Sequence, residues 1–167
     1  LCFYFALDAI LVIEFVFFSC YRHHPDLHSC PTRGSCDLAM YERMLLIRLF
    51  EERVTLLFLE GNMPGTIHQC QGQEATAVGV AFALREGDML TSTHRPHGHA
   101  LAKGLSSEEV LAELYGKTTG CCKGKGGSMH LGNMDKGMVP AIAIVAGGIP
   151  VATDRKRTRL NSSHTPI

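Results

Sequence analysis

Histidine, arginine and lysine side chains are concentrated in short stretches that are rich in glycine. His68 precedes one glycine turn, residues 94–99 read His-Arg-Pro-His-Gly-His, and Lys123, Lys125 and His130 lie in a long glycine-rich stretch. An arginine guanidinium can bind a phosphate through two parallel hydrogen bonds, and glycine lets backbone N–H groups approach the same anion. Imidazole can hold or release a proton near neutral pH. These residue types predict an enzyme that binds a diphosphate-bearing ligand.

Two common nucleotide-binding motifs do not account for this pattern. Gly116-Lys117-Thr118 is similar to the end of a P-loop, but Leu111 occupies the position of the first glycine. A dinucleotide fingerprint that starts at Gly124 fails because Met129 occupies the position of its third glycine. The predicted phosphate site therefore belongs to neither class.

Helices are predicted on both sides of His68. Residues 38–60 place apolar side chains at three- and four-residue spacing, with Glu51 among the charged residues on the opposite face, which predicts an amphipathic helix. Asp37 can cap its start, and Gly61 can end it. A second helix is predicted over residues 73–85, where small residues would allow another backbone to approach. The apolar positions of the first helix are Tyr41, Met44, Leu45, Ile47, Phe50, Val54, Leu57 and Phe58.

The rest of the middle part predicts an α/β fold. Residues 89–93 predict a short strand that ends in the histidine-rich loop, and the spacing of Ser106 and Glu109 predicts a capping box that starts a third helix. Residues 120–137 are predicted to form an irregular loop, and the apolar residues 138–153 to line a buried wall. Helices that alternate with short apolar strands are typical of α/β architecture.

Composition limits the classes of protein. The 167 residues suffice for about one domain, and 46% hydrophobic residues predict a folded core. Sixteen basic and sixteen acidic residues give no net charge, which argues against nucleic acid as a partner. Seven cysteines without paired spacing predict reduced thiols and a cytoplasmic protein, or a mitochondrial matrix protein in a eukaryote.

The two ends differ from the middle. Residues 1–20 are apolar, but Asp8 and Glu14 interrupt them, and a carboxylate at the bilayer centre costs about 2.5–3.5 kcal/mol. Residues 23–36 carry histidines and cysteines without the paired spacing of a zinc site. We therefore interpret residues 1–36 as a leader of doubtful origin and expect no membrane partner. Residues 154–167 resemble the translation of a sequencing adapter, so we interpret them as a non-native tail after a truncated reading frame.

Residues 37–153 resemble the alpha subunit of thiamine-diphosphate-dependent 2-oxo acid dehydrogenases, of the pyruvate dehydrogenase first-component and acetoin dehydrogenase type. The resemblance implies the N-terminal, incomplete part of a thiamine-diphosphate-binding fold, in which helices flank a parallel sheet. It also implies oxidative decarboxylation of a 2-oxo acid with transfer of the acyl group to lipoyl. The stretches that carry it, in order, are MYERMLLIRLFEERV, GTIHQCQGQEATAVGV, STHRPHGHALAKG, ELYGKTTGCCKGKGGSMH and GGIPVAT.

The resemblance also implies a cofactor site. Arg95 would hold the diphosphate of the thiamine cofactor with His94 beside it, and the backbone at Ala143 and Val145 would contact the aminopyrimidine. Residues 123–129 would form part of the wall beside the cofactor. In relatives, the magnesium ligands lie in a later Gly-Asp-Gly segment and a following asparagine, so we expect them beyond this chain and assign no metal ligand within it.

Two catalytic residues and several partners follow from the same resemblance. His68 would face the 2-oxo acid, and His97 is assigned to the catalytic set with it. The expected partners are a beta subunit of the same enzyme, a lipoyl-bearing acyltransferase and a small 2-oxo acid. Pyruvate is the favoured substrate, with acetoin as the alternative. Two further hypotheses are a membrane-anchored, non-catalytic binding protein and a misassembled product that aggregates without folding.

Overall fold

The computed structural model describes residues 33–85 and 87–161, with the side chains of residues 37–85 and 87–154. None of the helices in these ranges is both long and apolar enough to cross a membrane. The apolar stretch 1–20 and most of the histidine- and cysteine-containing stretch lie outside the described residues. The helices are α1 (Arg33–Leu59), α2 (Glu74–Ala83), α3 (His97–Ala102), α4 (Ser107–Leu114) and α5 (Gly148–Asn161), with 3₁₀ turns at Gly127–Met129 and Met134–Lys136.

Helix α1 packs one face against α2 and α3. Ile47 and Val54 are fully buried in this face, and so is the Glu51 carboxylate. The prediction that Glu51 belongs to the polar face is therefore wrong. The physical reason is its spacing, because Glu51 lies four residues after Ile47 and three before Val54, on the same helical stripe.

Two other expectations for α1 are also corrected. Asp37 does not cap the helix, because the helical backbone already includes Arg33. Tyr41 and Leu45 belong to the predicted apolar stripe but are 60% and 43% exposed. The helix is apolar on more than one face, so the spacing of its apolar residues alone could not identify the face that packs.

Helices α2 and α3 approach each other closely. A Cβ atom at Gly98 of α3 would lie 3.2 Å from the Ala77 Cβ of α2 and 2.8 Å from the Cys70 Sγ. The predicted helix over 73–85 is therefore confirmed in place and in the use of its small residues. Helix α3 was predicted as a loop, because it has only six residues and follows Pro96 directly.

Helix α4 has the predicted capping box. The Glu109 N–H donates to Ser106 Oγ at 3.1 Å, and the Ser106 N–H donates to Glu109 Oε2 at 2.9 Å. The helix ends at Leu114, and Gly116 follows with a φ of +66°, a backbone conformation that favours glycine. The predicted start of α4 is therefore confirmed.

The predicted parallel sheet is reduced to one pairing. In place of a strand at 89–93, the described residues contain a single parallel bridge between Leu90 and Met138. The Leu90 N–H donates to Gly137 O at 2.8 Å, and the Val139 N–H donates to Leu90 O at 2.8 Å. The Ala141 N–H donates to Leu131 O, and the Ile142 N–H donates to Ser92 O at 3.1 Å, so the pairing continues past Pro140 with its register shifted by one residue. The described residues are therefore helical apart from this pairing, and they show the predicted parallel sheet only in part.

The apolar segment 138–153 is only partly a buried wall. Met138 and Ala141 are buried, but Ile144 and Val145 are 75% and 50% exposed. The Gly147 N–H donates to Ile144 O at 2.9 Å, and Ala146 has a φ of +63°, so a turn precedes α5. This turn carries the apolar side chains to the surface, and the predicted wall is wrong for this half of the segment.

Candidate functional site

Two imidazoles and a guanidinium meet beyond the carboxyl end of the segment that contains Leu90, which pairs with Met138. The rings of His68 and His94 are arranged edge to face, with centroids 5.9 Å apart and planes at 85°. Arg95 is the next residue, and its guanidinium donates a hydrogen bond to the carbonyl oxygen of Gln69. Arg95 is thereby fixed to the segment that carries His68. Of the predicted site residues, the structure brings His68, His94 and Arg95 together.

Ala143 and Val145 occupy the corresponding place on the second paired segment. The Ile142 N–H donates to Ser92 O at 3.1 Å, so the backbones at 92 and 142 lie side by side. Residues 94–95 follow the first segment and residues 143–145 follow the second, at the carboxyl ends of a parallel pair. Ligands of parallel α/β proteins bind at such ends. The side chain of Val145 is half exposed, while Ala143 is partly buried.

Beneath this cluster, a chain of hydrogen bonds joins a buried glutamate to the backbone of His68. Glu51 Oε1 lies 2.9 Å from His97 Nδ1, and His97 Nε2 lies 2.9 Å from Ser128 Oγ. The His68 N–H donates to the same Ser128 Oγ at 2.8 Å. Glu51 and His97 are fully buried, and Ser128 is 7% exposed. His97 therefore lies inside the protein with both ring nitrogens engaged.

The Glu51 carboxylate also binds Cys70. The backbone N–H and the thiol of Cys70 both lie 3.1 Å from Glu51 Oε1. Burial alone would raise the pKa of Glu51, but the hydrogen bonds from His97 and Cys70 outweigh it and hold this pKa below its usual value. Burial and the negative charge of Glu51 raise the pKa of the Cys70 thiol far above its usual value. Glu51 is thus a buried anion beside a thiol that stays protonated.

Gln69 completes the attachment of this segment to α1. Its Nε2 donates to Glu51 O and to Thr55 Oγ1, at 2.7 Å in both cases. Residues 68–70 are consequently bound from several sides, with Arg95 on the Gln69 carbonyl, α1 on its side chain and Ser128 on the N–H of His68. The segment that carries His68 is among the most heavily hydrogen-bonded loops in the described part of the chain.

A second buried glutamate organises the glycine-rich stretch. Glu113 of α4 is fully buried, and its Oε2 accepts hydrogen bonds from the N–H groups of Cys122 and Gly124 at 2.8 and 2.9 Å. Its Oε1 accepts from the N–H groups of Gly126 and Gly127 at 2.7 and 3.2 Å. The stretch 116–130, which we call the glycine loop, is therefore folded around one carboxylate. This order places Ser128 under His68.

The parts that Glu51, Glu113 and Ser128 play in the site were not predicted from the sequence. A signal for the two glutamates was present, because each lies on the buried stripe of its helix: Glu51 with Ile47 and Val54, and Glu113 with Val110. No sequence signal pairs Ser128 with His97, since these residues are distant along the chain and meet only in the fold.

Among the described residues, no contact joins the lysines of the glycine loop or His130 to this cluster, whereas the His99 ring has a hydrogen bond with the backbone of Arg95. Lys123 and Lys125 are exposed, and Lys123 has a φ of +58°. His130 is exposed and its Nδ1 lies 2.8 Å from Ala141 O. His99 Nδ1 lies 3.0 Å from Ser92 Oγ, and burial lowers the pKa of His99 to about 4. None of these contacts places a lysine of the glycine loop beside His94.

The donor set suits an anionic ligand better than a metal. The part of the chain that the structure describes holds no group of three or more His, Cys, Asp or Glu side chains that could bind a metal ion. Nδ1 of His68 is buried and makes no hydrogen bond within the described residues. The guanidinium of Arg95 and the imidazoles of His68 and His94 are groups that can bind phosphate oxygens. The residues present therefore fit a diphosphate.

Comparison with known proteins gives one family. Residues 42–158 match the model of the family described as "Dehydrogenase E1 component". The alpha subunit of acetoin:2,6-dichlorophenolindophenol oxidoreductase from Bacillus subtilis is 54% identical over 115 residues, and that from Cupriavidus necator is 46% identical over 130 residues. The pyruvate dehydrogenase E1 component subunit alpha of Porphyra purpurea is 47% identical over 116 residues.

These matches cover most of this chain but only part of each relative. They include 69%, 78% and 70% of this chain, and 34%, 39% and 34% of the respective relatives. The chain thus spans about a third of the length of the curated relatives that it matches. The match begins inside α1 and includes the whole His68, His94 and Arg95 cluster.

Proposed function

Because the chain belongs to the dehydrogenase E1 component family, we propose that it is part of the alpha subunit of a thiamine-diphosphate-dependent enzyme that oxidatively decarboxylates pyruvate or a similar short 2-oxo acid. The enzyme would pass the acyl group to a lipoyl-bearing acyltransferase. The observation that carries this proposal is the cluster of His68, His94 and Arg95, which the fold fixes at the carboxyl ends of the parallel pairing. The named relatives are alpha subunits, which supports a beta subunit as the obligate partner.

The residues of this chain would hold the cofactor from two sides. Arg95 and His94 would bind the diphosphate, while the backbone at Ala143 and Val145 would contact the aminopyrimidine. Thiamine diphosphate, when bound, supplies a carbon nucleophile and accepts the electron pair released when the carboxyl group leaves. The imidazole of His68 would face the 2-oxo acid, where its buried Nδ1 can hold or move a proton.

Exposed apolar side chains on α1 support a role as one subunit of a larger assembly. Leu38, Leu49 and Leu59 of α1 are 70%, 55% and 75% exposed. Apolar side chains in this number on one helix are typical of a surface that a partner covers. The same surface supports our expectation that the chain aggregates when it is produced without its partner. We further propose a cytoplasmic or mitochondrial matrix location, which the free cysteines Cys70, Cys121 and Cys122 suit.

Acetoin is the second candidate substrate. The observation in its favour is the 54% identity to the acetoin oxidoreductase alpha subunit of Bacillus subtilis, compared with 47% to the pyruvate dehydrogenase alpha subunit of Porphyra purpurea. Reduction of 2,6-dichlorophenolindophenol by the assembled enzyme, supplied with either pyruvate or acetoin, discriminates between them. Reduction of the dye with acetoin but not with pyruvate would exclude the pyruvate proposal.

Titration with thiamine diphosphate and Mg²⁺ tests the cofactor site. We expect Arg95→Ala, in an alpha subunit that also contains the part with the expected magnesium ligands and in the complex with a beta subunit, to weaken binding by about tenfold to a hundredfold, since a hydrogen bond to a charged group contributes about 1.5–3 kcal/mol. Arg53→Ala is the matched control, because Arg53 is an exposed arginine of α1. Equal dissociation constants for the two variants would remove Arg95 from the diphosphate site.

A further inference from the structure

We infer that the buried hydrogen-bond chain of Glu51, His97 and Ser128 positions the backbone of His68, with His97 in the neutral Nδ1–H tautomer. Glu51, His97 and Ser128 are thus positioning residues that act through His68. The hydrogen-bond chain itself stands on the structure alone. Only the statement that His68 faces a substrate rests on the proposed function.

The tautomer follows from the donors and acceptors of the chain. His68 N–H has only a proton to give, so Ser128 Oγ must accept it. The Ser128 hydroxyl proton is then directed to His97 Nε2, which must carry a lone pair. The other ring nitrogen, Nδ1, carries the proton and donates it to Glu51 Oε1. An imidazolium would leave the Ser128 hydroxyl proton without an acceptor among the described residues.

The connectivity of serine, histidine and carboxylate is also that of a hydrolytic triad. Two observations oppose this alternative. Ser128 is only 7% exposed, and its oxygen already accepts the N–H of His68. An attacking serine needs an accessible oxygen and a place for a carbonyl group. The hydroxyl therefore holds a backbone group and does not attack a substrate.

Both ends of the short segment that carries His68 depend on this chain. The His68 N–H binds Ser128, and the Cys70 N–H binds Glu51 Oε1, while Gln69 between them binds α1 and accepts from Arg95. The chain thereby couples the imidazole of His68 and the guanidinium of Arg95 to the same buried carboxylate. Groups that act together on one ligand lose much of their effect when they are displaced by about 1 Å.

The tautomer is measured on the unaltered full chain by long-range proton–nitrogen NMR correlation of the histidine rings. We expect His97 to show a protonated Nδ1 and an unprotonated Nε2 at pH 7. A protonated Nε2, an imidazolium or a motionally averaged ring would overturn the inference. This measurement needs neither a cofactor nor a folded variant.

The contact to His68 is measured by amide hydrogen exchange. We expect Ser128→Ala to speed exchange at the His68 amide about tenfold, because the N–H loses its only side-chain acceptor. Ser107→Ala is the control, since Ser107 is a partly exposed serine of α4 outside the chain. Equal rates in both folded variants would overturn the inference. If Ser128→Ala does not fold, the NMR measurement of the His97 tautomer in the unaltered chain tests the inference by itself.

The positioning role has its own readout in the assembled enzyme. We expect Ser128→Ala to lower kcat about tenfold, while the dissociation constant of thiamine diphosphate stays within about twofold. An unchanged kcat in a variant with faster His68 exchange would overturn the role in positioning. If no assembly binds thiamine diphosphate but the tautomer and the His68 protection are as expected, the proposed function fails and the hydrogen-bond chain stands.

Discussion

The glycine loop is ordered around a buried group and part of the apolar segment 138–153 is exposed, although their compositions indicate the opposite. The glycine loop is rich in glycine and lysine, yet the buried Glu113 binds four of its N–H groups and Ser128 is buried within it. The apolar segment carries isoleucine and valine, yet Ile144 is 75% exposed. A single buried acceptor can order a polar loop, whereas apolar side chains stay outside when a turn directs them to solvent.

Removal of the Glu113 charge should have the largest effect on the order of the glycine loop. Glu113→Gln replaces an acceptor-only group by an amide that accepts at one end only, so at least two loop N–H groups lose their partner. We expect a loss of about 3–5 kcal/mol in the free energy of unfolding, measured by urea denaturation. Glu108→Gln, on the exposed face of the same helix, is the control. Equal stabilities would show that the carboxylate does not organise the loop.

The alkylation rates of the cysteine thiols in the glycine loop test whether the loop is ordered. Burial, followed by the negative charges nearby, raises the pKa of Cys121 to about 12, and burial and Glu113 also raise the pKa of Cys122. We therefore expect alkylation of Cys121 at pH 9 to be roughly a hundredfold or more slower than in the same chain unfolded by urea, because only the thiolate reacts. Peptide-resolved mass spectrometry measures both rates. Similar rates would mean that the loop is solvated.

Added volume at Gly120 tests the same contact from the loop side. A Cβ atom there would lie 2.6 and 2.7 Å from the Cα and N atoms of Glu113. We expect Gly120→Ala to lower the free energy of unfolding by about 1–3 kcal/mol through overpacking. Gly79→Ala is the control, because a Cβ at that helical position meets nothing within 4 Å, and we expect it to stabilise by about 0.5–1 kcal/mol. A tolerated Gly120→Ala would place the loop farther from α4.

The apolar segment should give the smallest effect. We expect Ile144→Ser to change the free energy of unfolding by at most about 0.5 kcal/mol, since the side chain is already exposed. Leu131→Ala is the comparison, because Leu131 is fully buried, and it should cost about 2–5 kcal/mol. Thermal unfolding of the two variants measures the difference. A large loss at Ile144 would restore the predicted buried wall.

Local signals account for what could be predicted from the sequence. The capping box of Ser106 and Glu109 and the small residues of α2 act between near neighbours, so their outcome is readable from spacing. The family resemblance is confirmed by the match over residues 42–158. The assignments of His68, His97, His94, Arg95, Ala143 and Val145 to catalysis or cofactor binding stay predictions.

The features that escaped prediction depend on distant partners. Glu51 lies on the buried stripe of α1, but the hydrogen-bond donors that stabilise its burial, His97 and Cys70, come from other elements. Helix α3 was missed because a six-residue helix after Pro96 shows no periodicity. The parallel pairing loses its regular register after Val139, because the Ala141 N–H binds Leu131 O in another segment and not Ser92 O.

The bridge between Leu90 and Met138 also leads us to expect an order of folding. It closes a stretch of chain that contains α3, α4 and the glycine loop. Closing a long stretch lowers the conformational entropy of the chain before the new contact stabilises the fold. We expect α4 to form early and the bridge late, so residues 94–95 and 143–145 adopt their final arrangement only in the last step. A ligand that binds this arrangement would then draw the folding equilibrium forward by mass action.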